Sequence, residues 1–397
     1  MLKSVDRLSP ADSGRGERYI RSLSSRFAWL VAGLLTLAAM APQAMARPHW
    51  TLVNPGFGEP GGMFLPANVF FTDVRHGVLV GRVPVPRKGV KPGIVWTADG
   101  GSVWHRAKIK AAVKNTNLSG LWFSSAHVGW ADGTMPGGGS GRCVLLKTTN
   151  GGRTWRPIAL PKFITSLSHV WFGPHGRHGR LMPSGGRVFW QTSDGGKTFT
   201  AVNVGQLFQG GWWIGSWRHL VLGGPAGSVL LSTDAGRKWI MVRTGLTGPA
   251  ARLTAISFAK GGQAGWAVGG QGKWAINGGY WMPLKPVILH TVNGGKTWIR
   301  QPTPRGRSGA LTTVWAISAK QAWAGSLLGY AYSYPPGFPP WLLHTANGGR
   351  TWPDVLHHFV SIHKLFFVDA RHGWAIAGGN GGSPYEPNGA VLIYGRR

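Results

Sequence analysis

Carboxylates are scarce in this chain. Twelve Asp and Glu stand against 43 Lys and Arg in 397 residues, a formal charge of +31. Activities that need several converging carboxylates are disfavoured at once, whereas a field of this sign attracts polyanions and anionic surfaces. An acidic exterior explains the same shortage, because few groups would then change charge near the working pH. The Lys and Arg are scattered, with no block or helix face, so the two explanations stand level. Cysteine is nearly absent too. Cys143 is the single one, so no internal disulfide can form, and its place in the apolar run CVLLKT marks it as a buried core thiol. Long apolar runs are also missing. FAWLVAGLLTLAAM, Phe27 to Met40, has 14 residues, short of the ~20 that a membrane-crossing helix requires.

That run follows a basic segment containing Arg15, Arg18, Arg21 and Arg26, and precedes Ala44-Met45-Ala46, a small-x-small cleavage pattern. Residues 1–46 are therefore expected to be a signal peptide cut after Ala46, which would place the chain in the periplasm or outside the cell. Left uncut, the segment would anchor it to the membrane. Ser22 follows Arg21, so there is no twin-arginine pair. Cleavage removes six basic and three acidic residues and leaves residues 47–397 at about +28.

Glycine (63), proline (27) and tryptophan (22) are plentiful, a mixture that suits short strands and tight turns rather than helices. Internal repetition then decides the architecture. TADGGSVW from Thr97 recurs as TTNGGRTW, TSDGGKTF, STDAGRKW, TVNGGKTW and TANGGRTW, with its Asp or Asn at Asp99, Asn150, Asp194, Asp234, Asn293 and Asn347. A second element, an apolar or aromatic pair followed by a polar turn and a strand of Gly-Trp-Ala type, occurs seven times, as in LWFSSAHVGWADG from Leu121 and LFFVDARHGWAIAGG from Leu365. Seven units against six turns imply a shared last blade. AVLIYGRR, Ala390 to Arg397, ends where a turn would follow, and HWTLVNP, His49 to Pro55, resembles the strand after each turn. The expected fold is all-β, a seven-bladed β-propeller over residues 47–397, its ring closed by pairing the N-terminal strand with the C-terminal blade.

Asp and Asn exchange freely at the turn position. A catalytic acid, base or nucleophile could not tolerate this, because Asn neither titrates nor attacks, but a hydrogen-bond acceptor can. The six residues are expected to be structural.

The repeats resemble the Asp-box, or BNR, motif S/T-x-D-x-G-x-T-W. Their coupling to Gly129-Trp130-Ala131, Gly265-Trp266-Ala267-Val268-Gly269 and Gly373-Trp374-Ala375 is similar to the Ycf48 family, HCF136 in plants, of photosystem II assembly factors and their bacterial relatives. The resemblance implies an exported, non-enzymatic, cofactor-free propeller that holds a protein partner, a membrane-protein subunit among the candidates, during complex assembly. Units three and four depart from the motif, with GRHGRLM and HLVLGG in place of the Gly-Trp-Ala strand and with Phe199 and Ala235 inside the turns.

Asp-boxes also invite a sialidase-type hydrolase, which needs an arginine cluster, a Tyr nucleophile with its Glu, and an Asp acid/base. Outside the repeat turns the acidic residues after position 46 are Glu59, Asp132, Asp354 and Glu386, the last beside Tyr385. This is a thin set. His175 with His178, and His357, His358 and His363, lack metal-ligand spacing, and no P-loop, GxGxxG or G-x-S-x-G signature occurs. No metal, cofactor or specific nucleic acid is expected, and the chain is expected to be a monomer. Tryptophans that recur with the blade belong to the core by periodicity, so recognition is sought in what does not repeat. Two insertions, Gly269 to Pro283 and Ser326 to Trp341, present Trp274, Tyr280, Trp281, Tyr330, Tyr332, Tyr334 and Trp341 as candidate partner-binding residues. Binding of an acidic polysaccharide or an anionic surface is the remaining alternative.

Overall fold

Each repeat becomes one antiparallel sheet. The computed structural model describes residues 49–395 except 54–57, 60–61, 86, 88, 111–112, 114, 136–142, 184, 249, 275–280, 307, 328–339, 356–360 and 379–389. The expected signal segment lies outside the described residues. Seven blades follow in chain order with innermost strands Leu65–Phe71, Asn117–Phe123, His169–Phe172, Trp212–Ile214, Arg252–Phe258, Leu311–Ala316 and Ser361–Phe367. The later strands pair outward in sequence order in every blade. In the last blade the outermost strand is His49–Val53, antiparallel to Ala390–Gly395 with Trp50 opposite Tyr394 and Val53 opposite Val391. The chain's two ends therefore share one sheet, as their sequences imply, and the ladder covers an edge that would otherwise be open to pairing with another chain.

Packing between blades explains the Gly-Trp-Ala strand. Trp374 of the seventh blade stacks on Phe71 of the first at 3.5 Å between ring centres, and Trp130 of the second stacks on Phe172 of the third at 3.9 Å. The glycine before each tryptophan admits the phenylalanine across the ladder: a Cβ at Gly129 would lie 2.7 Å from the Phe123 ring, and one at Gly373 would lie 2.2 Å from Phe367. Deviant unit three uses a different contact at the same position. Arg180, 0% exposed, replaces the tryptophan; its guanidinium lies 4.3 Å from the centre of the Trp217 ring in the next blade and donates to the carbonyls of Ser216 and Trp217. Burial lowers its pKa to about 9. A cation held by carbonyls and an aromatic face thus substitutes for ring stacking.

The first of the two insertions is more than a surface loop. It lengthens a hairpin, Gly265–Trp274 with Trp281–Thr291, whose register runs out to Trp274 opposite Trp281. Cys143 is half-buried at the start of Cys143–Thr148 rather than fully enclosed, because it opens the strand at the blade's margin. Desolvation is the main cause that raises its thiol to about 11.

Candidate functional site

The Asp-box residues act within their own turns. Asp99 Oδ1 accepts from the Val103 N–H at 2.9 Å and from the Thr97 hydroxyl at 2.7 Å, while the same hydroxyl oxygen accepts from the Gly101 N–H at 3.1 Å. Asn150 makes the same two contacts through its own Oδ1, to the Thr154 N–H and the Thr148 hydroxyl. The second side-chain atom explains the free exchange. Thr198 donates its hydroxyl to Asp194 Oδ2 at 2.6 Å, whereas Asn150 Nδ2 donates to the Thr154 hydroxyl at 2.9 Å, so the threonine simply reverses its role. The Thr198 hydroxyl and N–H hold the Asp194 carboxyl below the usual carboxylate range. Glycine is required at Gly101, where φ is +98° and where a Cβ would press on Trp104 and Ile393.

These turns define one face of the ring. A backbone N–H of the box donates to the first turn of the same blade, Gly100 to Arg75, Gly151 to His127, Gly195 to Arg177, Gly294 to Gln263 and Gly348 to Lys320. Strand alternation places both turns at the same end, with the second hairpins at the opposite end. The Asp-box face exposes Arg75, Arg177, Arg218, Lys260, Lys320 and Arg371 from its first turns, and Arg153, Lys197, Arg237, Lys296 and Arg350 from its boxes. Its carboxylates are engaged. Asp73 and Asp369 pair with His76 and His372 at 2.9 Å and accept from backbone N–H groups of their own turns.

Two rings of side chains line the innermost strands around the propeller axis. The ring nearer the Asp-box face consists of Phe70, Trp122, Trp171, Ser257, Trp315 and Phe366, related by register because each lies opposite the Gly-Trp-Ala tryptophan or its replacement; at the same position in the fourth blade Trp213 packs instead on Phe258 of the fifth at 4.3 Å. Five of these make a continuous aromatic arc across adjoining blades: Trp171 to Trp122 at 6.4 Å, Trp122 to Phe70 at 5.5 Å, Phe70 to Phe366 at 4.8 Å and Phe366 to Trp315 at 4.7 Å. Phe70, Trp122, Trp213 and Trp315 keep part of their surface accessible. Periodicity alone assigns these aromatics to the core, yet this member of each pair faces the axis. The available signal was alternation along the strand, since Phe70 and Phe71 must point to opposite faces.

Two residues earlier on the same strand face lies a polar ring. Lys364, Asn68, the Gly120 position and His169 occupy four consecutive blades, followed by the smaller Gly211, Ala255 and Thr313. Asp132 reaches the ring from the second strand across Gly120, its Cα partner. A Cβ at Gly120 would lie 1.7 Å from Asp132 Oδ1. Asp132 is 0% exposed, and neither carboxylate oxygen has a hydrogen-bond partner. Desolvation raises its pKa to about 7 against the pull of Lys364. Burial depresses Lys364, partly offset by Asp132, and burial with the Lys364 charge lowers His169 to about 3. Lys364 and His169 nevertheless keep some accessible surface.

Replacing Gly120 by Ala is expected to lower stability by about 2–4 kcal/mol through overpacking and displacement of a buried carboxyl. The double variant Gly120→Ala with Asp132→Ala should recover most of that loss. Thermal unfolding of the three proteins checks the coupling; equal losses in the single and double variants would contradict it.

Of the candidate partner-binding residues, Tyr280, Tyr330, Tyr332 and Tyr334 lie outside the described residues. Trp274 and Trp281 are placed by their backbone alone, at the end of the long hairpin. Trp341 does not present its ring. It is 2% exposed and packs in a core cluster with Trp266, Ile288 and Trp352, because the strand that follows the insertion begins its core packing one residue before Leu342. Among the described residues no group of three or more His, Cys, Asp or Glu could hold a metal.

A cavity of about 220 Å³ opens between the first and second blades at the Asp-box face, with Phe70, Val78, Trp96 and Phe123 among its lining residues and Asp73, His76, His127 and Arg153 at its polar edge.

The sequence matches no protein-family model and no curated protein sequence. Solved structures share the fold. Ycf48 bound to D1 peptide is 17% identical, with a TM-score of 0.59 over 88% of this chain and 97% of that one. Ycf48 from Cyanidioschyzon merolae is also 17% identical, with a TM-score of 0.58 over 87% and 98%. The GH74 xyloglucanase from Xanthomonas campestris is 15% identical, with a TM-score of 0.57 over 82% of this chain and 52% of that one. The chain is a β-propeller similar in architecture to Ycf48.

Proposed function

We propose that this chain is a non-enzymatic propeller that binds a protein partner, after export directed by residues 1–46, and serves as a scaffold or assembly factor for an envelope or membrane complex. One observation carries the reading: among the described residues Asp132 stands without a second carboxylate, while Tyr385 and Glu386 lie outside them. Asp73, Asp99, Asp194, Asp234 and Asp369 are each bound within a turn, and Asp354 Oδ1 accepts from the Leu342 N–H in the sixth blade. Glycoside hydrolysis needs two carboxyl groups across the scissile bond. The solved Ycf48 that carries a D1 peptide supports protein recognition on this architecture.

The purified protein should release no product from xyloglucan or a sialoside panel, and Asp132→Asn should leave that baseline unchanged. Turnover that disappears in Asp132→Asn would replace the scaffold with a hydrolase. The cationic Asp-box face favours a second reading, binding of an acidic polysaccharide or anionic surface. Such binding would fall steeply between about 50 and 200 mM salt, whereas a specific protein complex would persist.

A further inference from the structure

We propose that the cavity between the first and second blades is an anchor pocket for one aromatic or long aliphatic side chain from an acidic segment of the partner polypeptide. The inference rests on the scaffold reading and adds the chemistry of what is recognised. At about 220 Å³ the cavity falls below the ~300 Å³ at which sites for drug-sized ligands begin, and it suits a single inserted side chain.

Phe70, Val78, Trp96 and Phe123 provide an apolar floor, and Phe70 belongs to the aromatic arc. A buried apolar anchor of this kind supplies most of the energy in many peptide complexes. Arg153 lies 4.5 Å from the centre of the Trp96 ring, with Nη1 donating to the Asn150 carbonyl at 3.2 Å, so its guanidinium is held at the rim. The one carboxylate there, Asp73, already accepts from His76 and from the N–H groups of Arg75 and His76. Arg153 at the rim, with the exposed Arg75 in the adjoining turn, supplies the positive charge that complements Asp or Glu flanking the anchor.

The test uses the full chain and the blocked peptide Ac-Glu-Glu-Phe-Glu-Glu-NH2, titrated by NMR at 150 mM salt. Two further peptides carry Ala for Phe or Lys for every Glu. Ala126→Trp places a bulky ring over the pocket from an exposed turn position and leaves the core untouched. Ala319→Trp makes the same change at the corresponding exposed turn of the sixth blade.

The Phe peptide should bind at least tenfold more tightly than either control peptide, Ala126→Trp should weaken it at least tenfold, and Ala319→Trp should not. Arg153→Glu should weaken the Phe peptide while improving the Lys peptide. Equal binding of the Phe and Ala peptides would reduce the contact to surface charge, and retention of binding in Ala126→Trp would place it elsewhere; either overturns the proposal. Capture of a partner protein that is indifferent to Ala126→Trp would sink the pocket while leaving the scaffold reading intact.

Discussion

Removal of residues 1–53 should lower the melting temperature by about 10 °C or more and cause aggregation, whereas removal of residues 1–46 alone should not. The deleted strand supplies five ladder positions against Ala390–Gly395. It also carries Trp50, whose ring meets Trp323 at 5.5 Å, Phe367 at 5.8 Å and Tyr394 at 5.2 Å. Losing a packed tryptophan costs about 3–5 kcal/mol, and the ladder adds to this. Each kcal/mol moves the midpoint of a large domain by roughly 2–4 °C. The uncovered strand is then free to pair with another chain. A peptide spanning residues 47–55 should restore part of the lost stability; a truncated protein that melts like the full one would show the ring to be held without this strand.

Asp132→Val should stabilise the protein, by an amount that depends on pH. Valine is the residue at the equivalent position in the first and fifth blades, Val80 and Val268. In the unfolded chain the Asp132 carboxyl releases its proton near 3.8, but in the fold it holds the proton to about 7. Below pH 3.8 both states carry the proton and there is no penalty. As pH rises through this window the folded state is penalised at about 1.4 kcal/mol per unit, reaching roughly 4 kcal/mol above pH 7. His169 has the opposite sign. Its folded pKa of about 3 lies below the usual 6.5, so its neutral burial favours the fold above pH 6.5 and that advantage is lost as pH falls toward 3. The two slopes cancel between about pH 4 and 6.5 in the wild type.

In Asp132→Val only the histidine slope survives. The variant's advantage over wild type should therefore be smallest at pH 3.5, grow through pH 7 and remain flat beyond. Denaturant unfolding at five pH values checks this. An advantage independent of pH would mean that Asp132 titrates alike in the folded and unfolded chain, and a loss at pH 8 that it is ionised and paired in the folded protein.

The blade count, the ring closure and the structural role of the Asp-box were legible because each repeats. Asn in place of Asp at positions 150, 293 and 347 removes titration but keeps Oδ1, and the turns need only that oxygen. What escaped were contacts between residues far apart in the chain. Arg180 looks like a failed copy of tryptophan until Trp217, in the next blade, shows what it packs against. Asp132 looks like one acidic residue after Gly-Trp-Ala. Only the register with Gly120 reveals that the carboxyl is fully enclosed. Trp341 sits in a stretch rich in Gly, Pro and Tyr, which reads as an exposed loop, although the ring itself is already core. The aromatic arc was hidden by its own regularity, since residues that line an axis repeat as faithfully as residues that fill a core.

Recognition at the Asp-box face is tested most directly by lysine cross-linking and mass spectrometry on the complex captured from the native envelope. Exposed lysines mark both ends of the ring: Lys197, Lys260, Lys296 and Lys320 at the Asp-box face, and Lys91, Lys162 and Lys285 toward the other. Binding at the proposed face predicts partner cross-links to the first set and none to the second. Cross-links confined to Lys91, Lys162 and Lys285 would contradict it and move recognition to the hairpin face that carries Trp274 and Trp281.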